Sequence, residues 1–463
     1  MSKVKKVLII GLDCFEPSLV FERWKDKLPT FSALAKKGYS GNLESSIPAI
    51  TVPAWQSMMT SRNPGSMGFY GFRNRKDHSY DDMFFATSAA VKVDTTWRIL
   101  SRNNLKSVVL GVPQTYPPKP LNGCLVGCFL TPDTDSDFTY PSYLKDEIME
   151  NMGEYILDVK NFRTEDKDYL LDQIYKMSDN RFKTADYLMK NKPWDFFMMV
   201  DMGPDRLHHG MWKYFDESHV NHVPNSPYRH SIRDYYIYLD GKIAELLKNV
   251  DMDETAVFIV SDHGAKKMEG GFCFNDWLIK EGYLTLKSKI EKPRTIKNAD
   301  IDWSKTSVWG SGGYYGRLFI NVKGREPQGV VLPEEYETFR ATLKEKLEAV
   351  LDHNGKLMGN RAFRPKDIYP EVLGVAPDLI VYFGDLGWRS VGTVGNKSLY
   401  VFENDTGPDD ANHAQNGMYI MVTPDMKNGV SMDRQLMDIA PTVLDLLGIE
   451  IPDDMEGKPI IFS

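Results

Sequence analysis

The chain has 463 residues, 42% hydrophobic and 26% charged, enough for a large apolar core without disulfides or a structural metal. A net charge of −8 with no long basic run excludes a general nucleic-acid-binding surface; anionic substrates stay open, because bound cations supply local positive charge. Four cysteines make no disulfide framework at this length, and no apolar stretch is long enough to span a bilayer.

The apolar run 7–12 ends at Asp13. It is short and no small-residue cleavage site follows it, so it reads as a first strand rather than a signal peptide, and the expected compartment is cytoplasmic. Pro29–Lys37 reads as a helix, and Thr51 just ahead of Val-Pro suits a helix start. Residues 65–90 and 214–230 read as loops over a site. Run 107–112 reads as a strand; Cys124 and Cys128 read as buried thiols. Strand 196–200 leads into Asp201-Met-Gly-Pro-Asp205-Arg-Leu-His208-His209, and helix 232–247 precedes strand 256–260, which ends in Ser261-Asp262-His263-Gly264. Two more strands are expected, at 379–383 and 418–422, the latter just after His413. Residues 438–448 read as a closing helix, with Asp438 at its start, Pro441 in its first turn and Gly448 at its exit. This alternation predicts an α/β fold with a mostly parallel central sheet flanked by helices. The stretch 290–400 separates two motif clusters. It is expected to be a smaller inserted cap, leaving 1–289 and 401–463 as the catalytic domain.

In open α/β sheets ligands gather at the carboxyl ends of strands, where Asp13, Asp205, His209, Asp262 and His263 would all lie. Asp205 and His209, four apart, share one face of a helix. Asp262 and His263 can both turn inward only in a tight turn, which Gly264 permits. Asp201 competes with Asp205, and His208 with His209; helical spacing favours Asp205 and His209. With His413 these residues supply three carboxylates and three imidazoles, a donor set that suits zinc or manganese better than calcium. Two such cations can activate a nucleophile and stabilise a phosphoryl group in flight. Thr51 is the candidate nucleophile, and a helix N-terminus there would favour phosphate. Taken singly, each fragment also has an ordinary reading as a helix cap, a turn or a surface pair. The functional reading rests on their order and on their placement after strands.

Together these residues resemble the type I phosphodiesterase/nucleotide pyrophosphatase branch of the alkaline-phosphatase superfamily. Leu8-Ile-Ile-Gly-Leu-Asp13 is similar to the family's opening strand and first ligand. Thr51-Val-Pro-Ala-Trp55, with Thr60 and the segment 64–68, is similar to its nucleophile segment. Asp205-Arg-Leu-His-His209 with Trp212 resembles the D-R-x-x-H…W form of microbial members, Ser261-Asp-His-Gly264 the S-D-H-G signature, and 438–448 the closing D-I-x-P-T helix. The resemblance spans nearly the whole chain and implies an alkaline-phosphatase-like sheet with two divalent ions, Zn2+ first and Mn2+ as the alternative. One would be held by Asp13, Thr51, Asp262 and His263, the other by Asp205, His209 and His413. It implies attack by Thr51, a phosphothreonine intermediate, and a small phosphate-ester or nucleotide-type substrate cleaved at a phosphodiester or phosphoanhydride bond.

There are two departures. Ala54-Trp55 stands where many diesterases carry Asn-His. The family's phosphate-contacting asparagine, about twenty residues after the nucleophile, would fall near Phe72, so Arg73 and Asn74 are the candidate donors. A phosphomonoesterase, a phosphonate hydrolase or a phosphomutase of the same superfamily stays open, as does a non-catalytic metal- or phosphoglycan-binding protein. The sequence does not set the oligomeric state.

Overall fold

The structure, a computed structural model, describes residues 4–404 and 406–460; the first three residues of the opening segment lie outside the described residues. The strands of the central sheet are β1 (Lys6–Leu12), β2 (Tyr39–Glu44), β3 (Ser107–Leu110), β4 (Gly123–Val126), β5 (Thr139–Tyr140), β6 (Phe196–Asp201), β7 (Thr255–Val260) and β8 (Asn416–Val422). They run in the order β2-β8-β7-β1-β6-β3-β4-β5, and two short strands, Val430–Ser431 and Arg434–Gln435, pair with β2. The five from β7 to β4 are mutually parallel, while β8 runs antiparallel to both neighbours and β5 antiparallel to β4. Parallel strands need crossovers that place helices over both faces of a sheet, which is why β1, β3, β6 and β7 are almost uninterrupted apolar runs.

The helices used below are α1 (Pro29–Lys37), α2 (Thr51–Thr60), α3 (Lys167–Asn191), α4 (Gly203–Phe215), α5 (Ser231–Leu247) and α6 (Ile439–Leu446). They pack in two groups, α1 with α3, α4 and α5, and α2 with α6. Every residue of α2 is buried, so its apolar stripe and its polar side chains are enclosed alike. The closing helix differs from expectation at its start. A turn of 3-10 helix, Leu436–Asp438, precedes it, and the Asp438 carboxylate accepts the Lys458 amide (3.0 Å) instead of capping the helix. Gly448 exits in the left-handed region at φ 73°, as its position implies.

Strand 379–383 lies outside the central sheet. Leu379–Tyr382 joins Val308–Ser311, Gly316–Ile320 and Arg361–Phe363 in a separate antiparallel four-stranded sheet with its own apolar cluster. That cluster also takes Phe272, Phe274, Trp277, Leu278 and Leu284, all of which precede the expected boundary at 290. This second sheet sits against the segment leading into α2. The Tyr382 hydroxyl accepts the Ala49 amide (2.9 Å), and the Tyr369 hydroxyl donates to the Ile47 carbonyl.

Candidate active site

Neighbouring parallel strands end side by side, and that alone gathers half of the site. β1 lies between β6 and β7, so Asp13 emerges next to Asp201 on one side and Ser261–His263 on the other. Cys14 turns through φ 61°, and its amide donates to the Asp262 carboxylate (3.2 Å). The Phe15 amide donates to the Ser261 hydroxyl (2.7 Å), which itself donates to the His263 carbonyl (2.7 Å). These contacts lock the two strand ends together. After β6 the chain enters α4, which carries Asp205 and His209 one turn apart. Beyond β7, strand Gly264–Lys267 pairs with Ala411–Ala414, with Ala265 opposite His413, and this brings His413 to the same place. The chain crosses closely there: a side chain at Gly417 would start 2.4 Å from the Ser261 carbonyl.

The six acids and histidines form two adjoining clusters. In one, the ligand atoms of Asp13, Asp262 and His263 lie within 4.8 Å of one another; in the other, those of Asp205, His209 and His413 do. The clusters meet where the His263 and His413 rings stack at 3.8 Å. The Thr51 hydroxyl, at the first position of α2, lies 3.4 Å from His263 Nε2. Asp201 instead bonds Ser178 and Tyr235, and His208 bonds Tyr236, so neither enters the clusters.

Each histidine uses Nδ1 elsewhere. His413 Nδ1 meets the Ala49 carbonyl (2.9 Å), His263 Nδ1 the Gly264 carbonyl (3.2 Å), and His209 Nδ1 the Asp409 carboxylate (2.7 Å) and the Ala411 carbonyl (3.1 Å). A carbonyl only accepts, so on His263 and His413 Nδ1 carries the proton and the neutral ring presents the bare Nε2 to the site, while His209 Nε2 faces Asp205 Oδ1 at 3.2 Å. Among the described residues, Asp13 Oδ1, Asp262 Oδ2, His209 Nε2 and His413 Nε2 are buried without a hydrogen-bond partner. Buried polar atoms are seldom left so, and four of them converging on two small volumes fit a pair of cations. Cys14 Sγ also approaches His263 and His413, but its thiol donates to the Gly264 carbonyl (3.4 Å), and burial pushes its pKa well up, which opposes a thiolate ligand.

The electrostatics agree with that fit. Burial, with Asp205 for the first and Asp13 for the second, pushes the Asp13 and Asp262 carboxyls well above their usual range. Burial would also raise Asp205, but His209 and Arg206 outweigh it and hold this carboxyl well below. Burial lowers His263 to about 4, and burial with the neighbouring His263 lowers His413 well below its ordinary value. His209 goes the other way: burial would lower it, but Asp409, Tyr314 and Asp205 raise it. The pocket strains to hold its own charge, as a pre-formed cation site does.

A cavity of about 470 Å³ opens over Thr51, Asp205 and His413. A model of the type I phosphodiesterase / nucleotide pyrophosphatase family matches residues 7–409. The chain belongs to this family. Among solved structures it is similar to human ectonucleotide pyrophosphatase/phosphodiesterase 5, at TM-score 0.54 and 13% identity over 96% of each chain. It is also similar to the murine protein of that name, at TM-score 0.55 and 13% identity over 96% of each chain. A further similar structure is an inactive threonine-to-alanine form of the murine protein in complex with AMP, at TM-score 0.54 and 12% identity over 97% of this chain and 96% of that one. At these identities the likeness establishes the alkaline-phosphatase-like fold. No curated protein matches the chain.

Within this phosphodiesterase/pyrophosphatase framework the two candidate phosphate donors part company. Arg73 lines the cavity over Thr51. Asn74 is buried in its own turn, accepting the Tyr70 amide (2.6 Å) and donating to the Gly71 carbonyl (2.8 Å), so both ends of its amide are engaged away from the cavity. Sequence reasoning passed over two supporting residues. Asp409 holds His209 and is itself held by Arg163 (3.2 Å) and Arg389 (3.3 Å); it comes from a loop nearly two hundred residues beyond α4, and no local spacing marks it. Trp55 donates its indole N–H to Asp13 Oδ2 (2.6 Å). Its one signal in the sequence is the departure from Asn-His.

Proposed function

We propose that this chain is a two-metal-dependent hydrolase of phosphodiester or phosphoanhydride bonds with Thr51 as nucleophile. The observation that carries the reading is the pair of adjoining clusters in which buried atoms of Asp13, Asp262, His209 and His413 have no hydrogen-bond partner among the described residues, with the Thr51 hydroxyl 3.4 Å from His263 Nε2. Asp13, Thr51, Asp262 and His263 would hold one cation and Asp205, His209 and His413 the other. When bound, the cations lower the pKa of a nearby hydroxyl and offset the charge of the phosphoryl oxygens. Thr51 Oγ1, deprotonated, forms a bond to phosphorus as the bond to the leaving oxygen breaks, and water then hydrolyses the phosphothreonine. The buried start of α2 holds Oγ1 at the cavity floor and turns helix amides toward the anion. The family and the murine neighbour's AMP complex support nucleotide-type compounds as the first substrates to try. Zn2+ is the first cation to test and Mn2+ the second.

The test is Thr51→Ala. The variant should keep its fold and its metal content and lose turnover of bis(4-nitrophenyl) phosphate, while chelation inactivates the wild type and Zn2+ or Mn2+ restores it. Near-normal activity in Thr51→Ala removes Thr51 as nucleophile; full activity after exhaustive demetallation removes the cations.

A further inference from the structure

The cavity over Thr51 adjoins a second chamber of about 380 Å³ on the second-sheet side, and the two share Arg73, Gly312, Gly313, Arg317 and Arg389 in their lining. Gly312 and Gly313 lie in the shared wall. Gly313 sits at φ 142°, a conformation that favours glycine, and a Cβ there would meet nothing within 4 Å. The outer chamber's wall follows from strand alternation. Trp309 pairs with Phe319 and Ser311 with Arg317, so these four share one face; the Trp309 and Phe319 rings are buried in the second apolar cluster with the Arg75 guanidinium over both.

The charges around this groove do not cancel. Arg75 is paired with Glu326 (3.3 Å), Arg206 with Asp158 (2.7 Å), and Arg163 and Arg389 with Asp409. Arg73 lies over the Phe85 ring, and Arg317 donates to the Arg73 carbonyl. Among the described residues neither has a carboxylate partner, and Lys297 at the outer chamber has none either. Among the described residues, Asp81 is the one acid lining that chamber. In a chain of net charge −8, three cations that have no carboxylate partner among the described residues gather around one recess.

We propose that the outer chamber binds a second phosphate-type group of the substrate while the scissile phosphate lies at Thr51. This deepens the hydrolase reading and rests on it: the substrate class becomes a phosphodiester or phosphoanhydride that bears another phosphate away from the bond cleaved. Arg317 and Arg73 supply the planar, multidentate donors such a group takes.

The experiment compares metal-loaded wild type with Arg317→Met and Arg317→Lys on three compounds. Bis(4-nitrophenyl) phosphate has no second anion. ATP carries a continuous phosphate chain. The 4-nitrophenyl ester of thymidine 5′-phosphate with a 3′-phosphate carries a separated one. The expected result is that kcat/KM for one of the last two, taken as a ratio to the first, falls about tenfold or more in Arg317→Met, the scale of one lost charge-assisted contact, and less in Arg317→Lys. Which compound loses shows whether the second phosphate is contiguous or separated. Equal losses on all three compounds overturn the proposal, as does a wild type that prefers bis(4-nitrophenyl) phosphate to both others. If nothing is turned over, the Thr51 chemistry has failed, and calorimetric binding of ATP to Thr51→Ala still decides the chamber. Binding weakened about tenfold by adding Arg317→Met supports it, and unchanged binding overturns it.

Discussion

Trp55→Phe isolates a single hydrogen bond to a proposed cation ligand. The indole of Trp55 is fully buried, and its N–H points at Asp13 Oδ2 across 2.6 Å, leaving Oδ1 for the cation. Phenylalanine keeps most of the ring volume and removes the donor. A hydrogen bond to a charged group contributes about 1.5–3 kcal/mol, which converts to about 10- to 150-fold in affinity if the whole loss falls on the loaded state. The smaller ring leaves a gap that costs about 1 kcal/mol more, felt by empty and loaded protein alike. The two terms separate because burial pushes the Asp13 pKa well up: in the empty protein this carboxyl resists ionising and needs the donor less. Titration of Zn2+ against a competing chelator gives the affinity, and thermal melts of empty and loaded protein give the packing cost. The expected outcome is weaker binding in the first range with a small, shared melting shift. Unchanged affinity with equal destabilisation of both forms would mean that Trp55 is a packing residue only.

The remaining expectations concern the same site. Asp13 and Asp262, with pKa values pushed well up by burial and then by Asp205 for the first and Asp13 for the second, retain protons in the empty pocket; cation binding should displace them. Binding then tightens as pH rises, and its calorimetric enthalpy varies with the ionisation enthalpy of the buffer; a buffer-independent enthalpy contradicts this. Asp409→Asn should weaken the cation held by Asp205, His209 and His413 by about 10- to 100-fold, because it removes the carboxylate that fixes His209 Nδ1. An unaltered metal content and affinity in that variant would remove Asp409 from the site.

Much of this protein could be read along one dimension. Buried parallel strands need apolar residues on both faces, so the runs that became β1, β3, β6 and β7 announced themselves, and acids and histidines following them stood out against that background. The i,i+4 spacing of Asp205 and His209 favoured them over Asp201 and His208, and the structure brings the first pair together with His413 while Asp201 and His208 bond elsewhere, because helix geometry is local. The ordering of motifs pointed to the family. Three things were settled only by long-range pairing. One is the stacking of His413 on His263, produced when Ala411–Ala414 pairs with Gly264–Lys267. Another is the support given by Asp409 and Trp55, whose partners are 200 and 42 residues away. The third is the fate of Arg73 and Asn74: adjacent strand residues point to opposite sides, so one lines the cavity and the other closes a turn. Periodicity and composition record what each segment buries. Which buried atoms meet, and which of them are left without a partner, depends on the packing of elements that the chain brings from hundreds of residues apart.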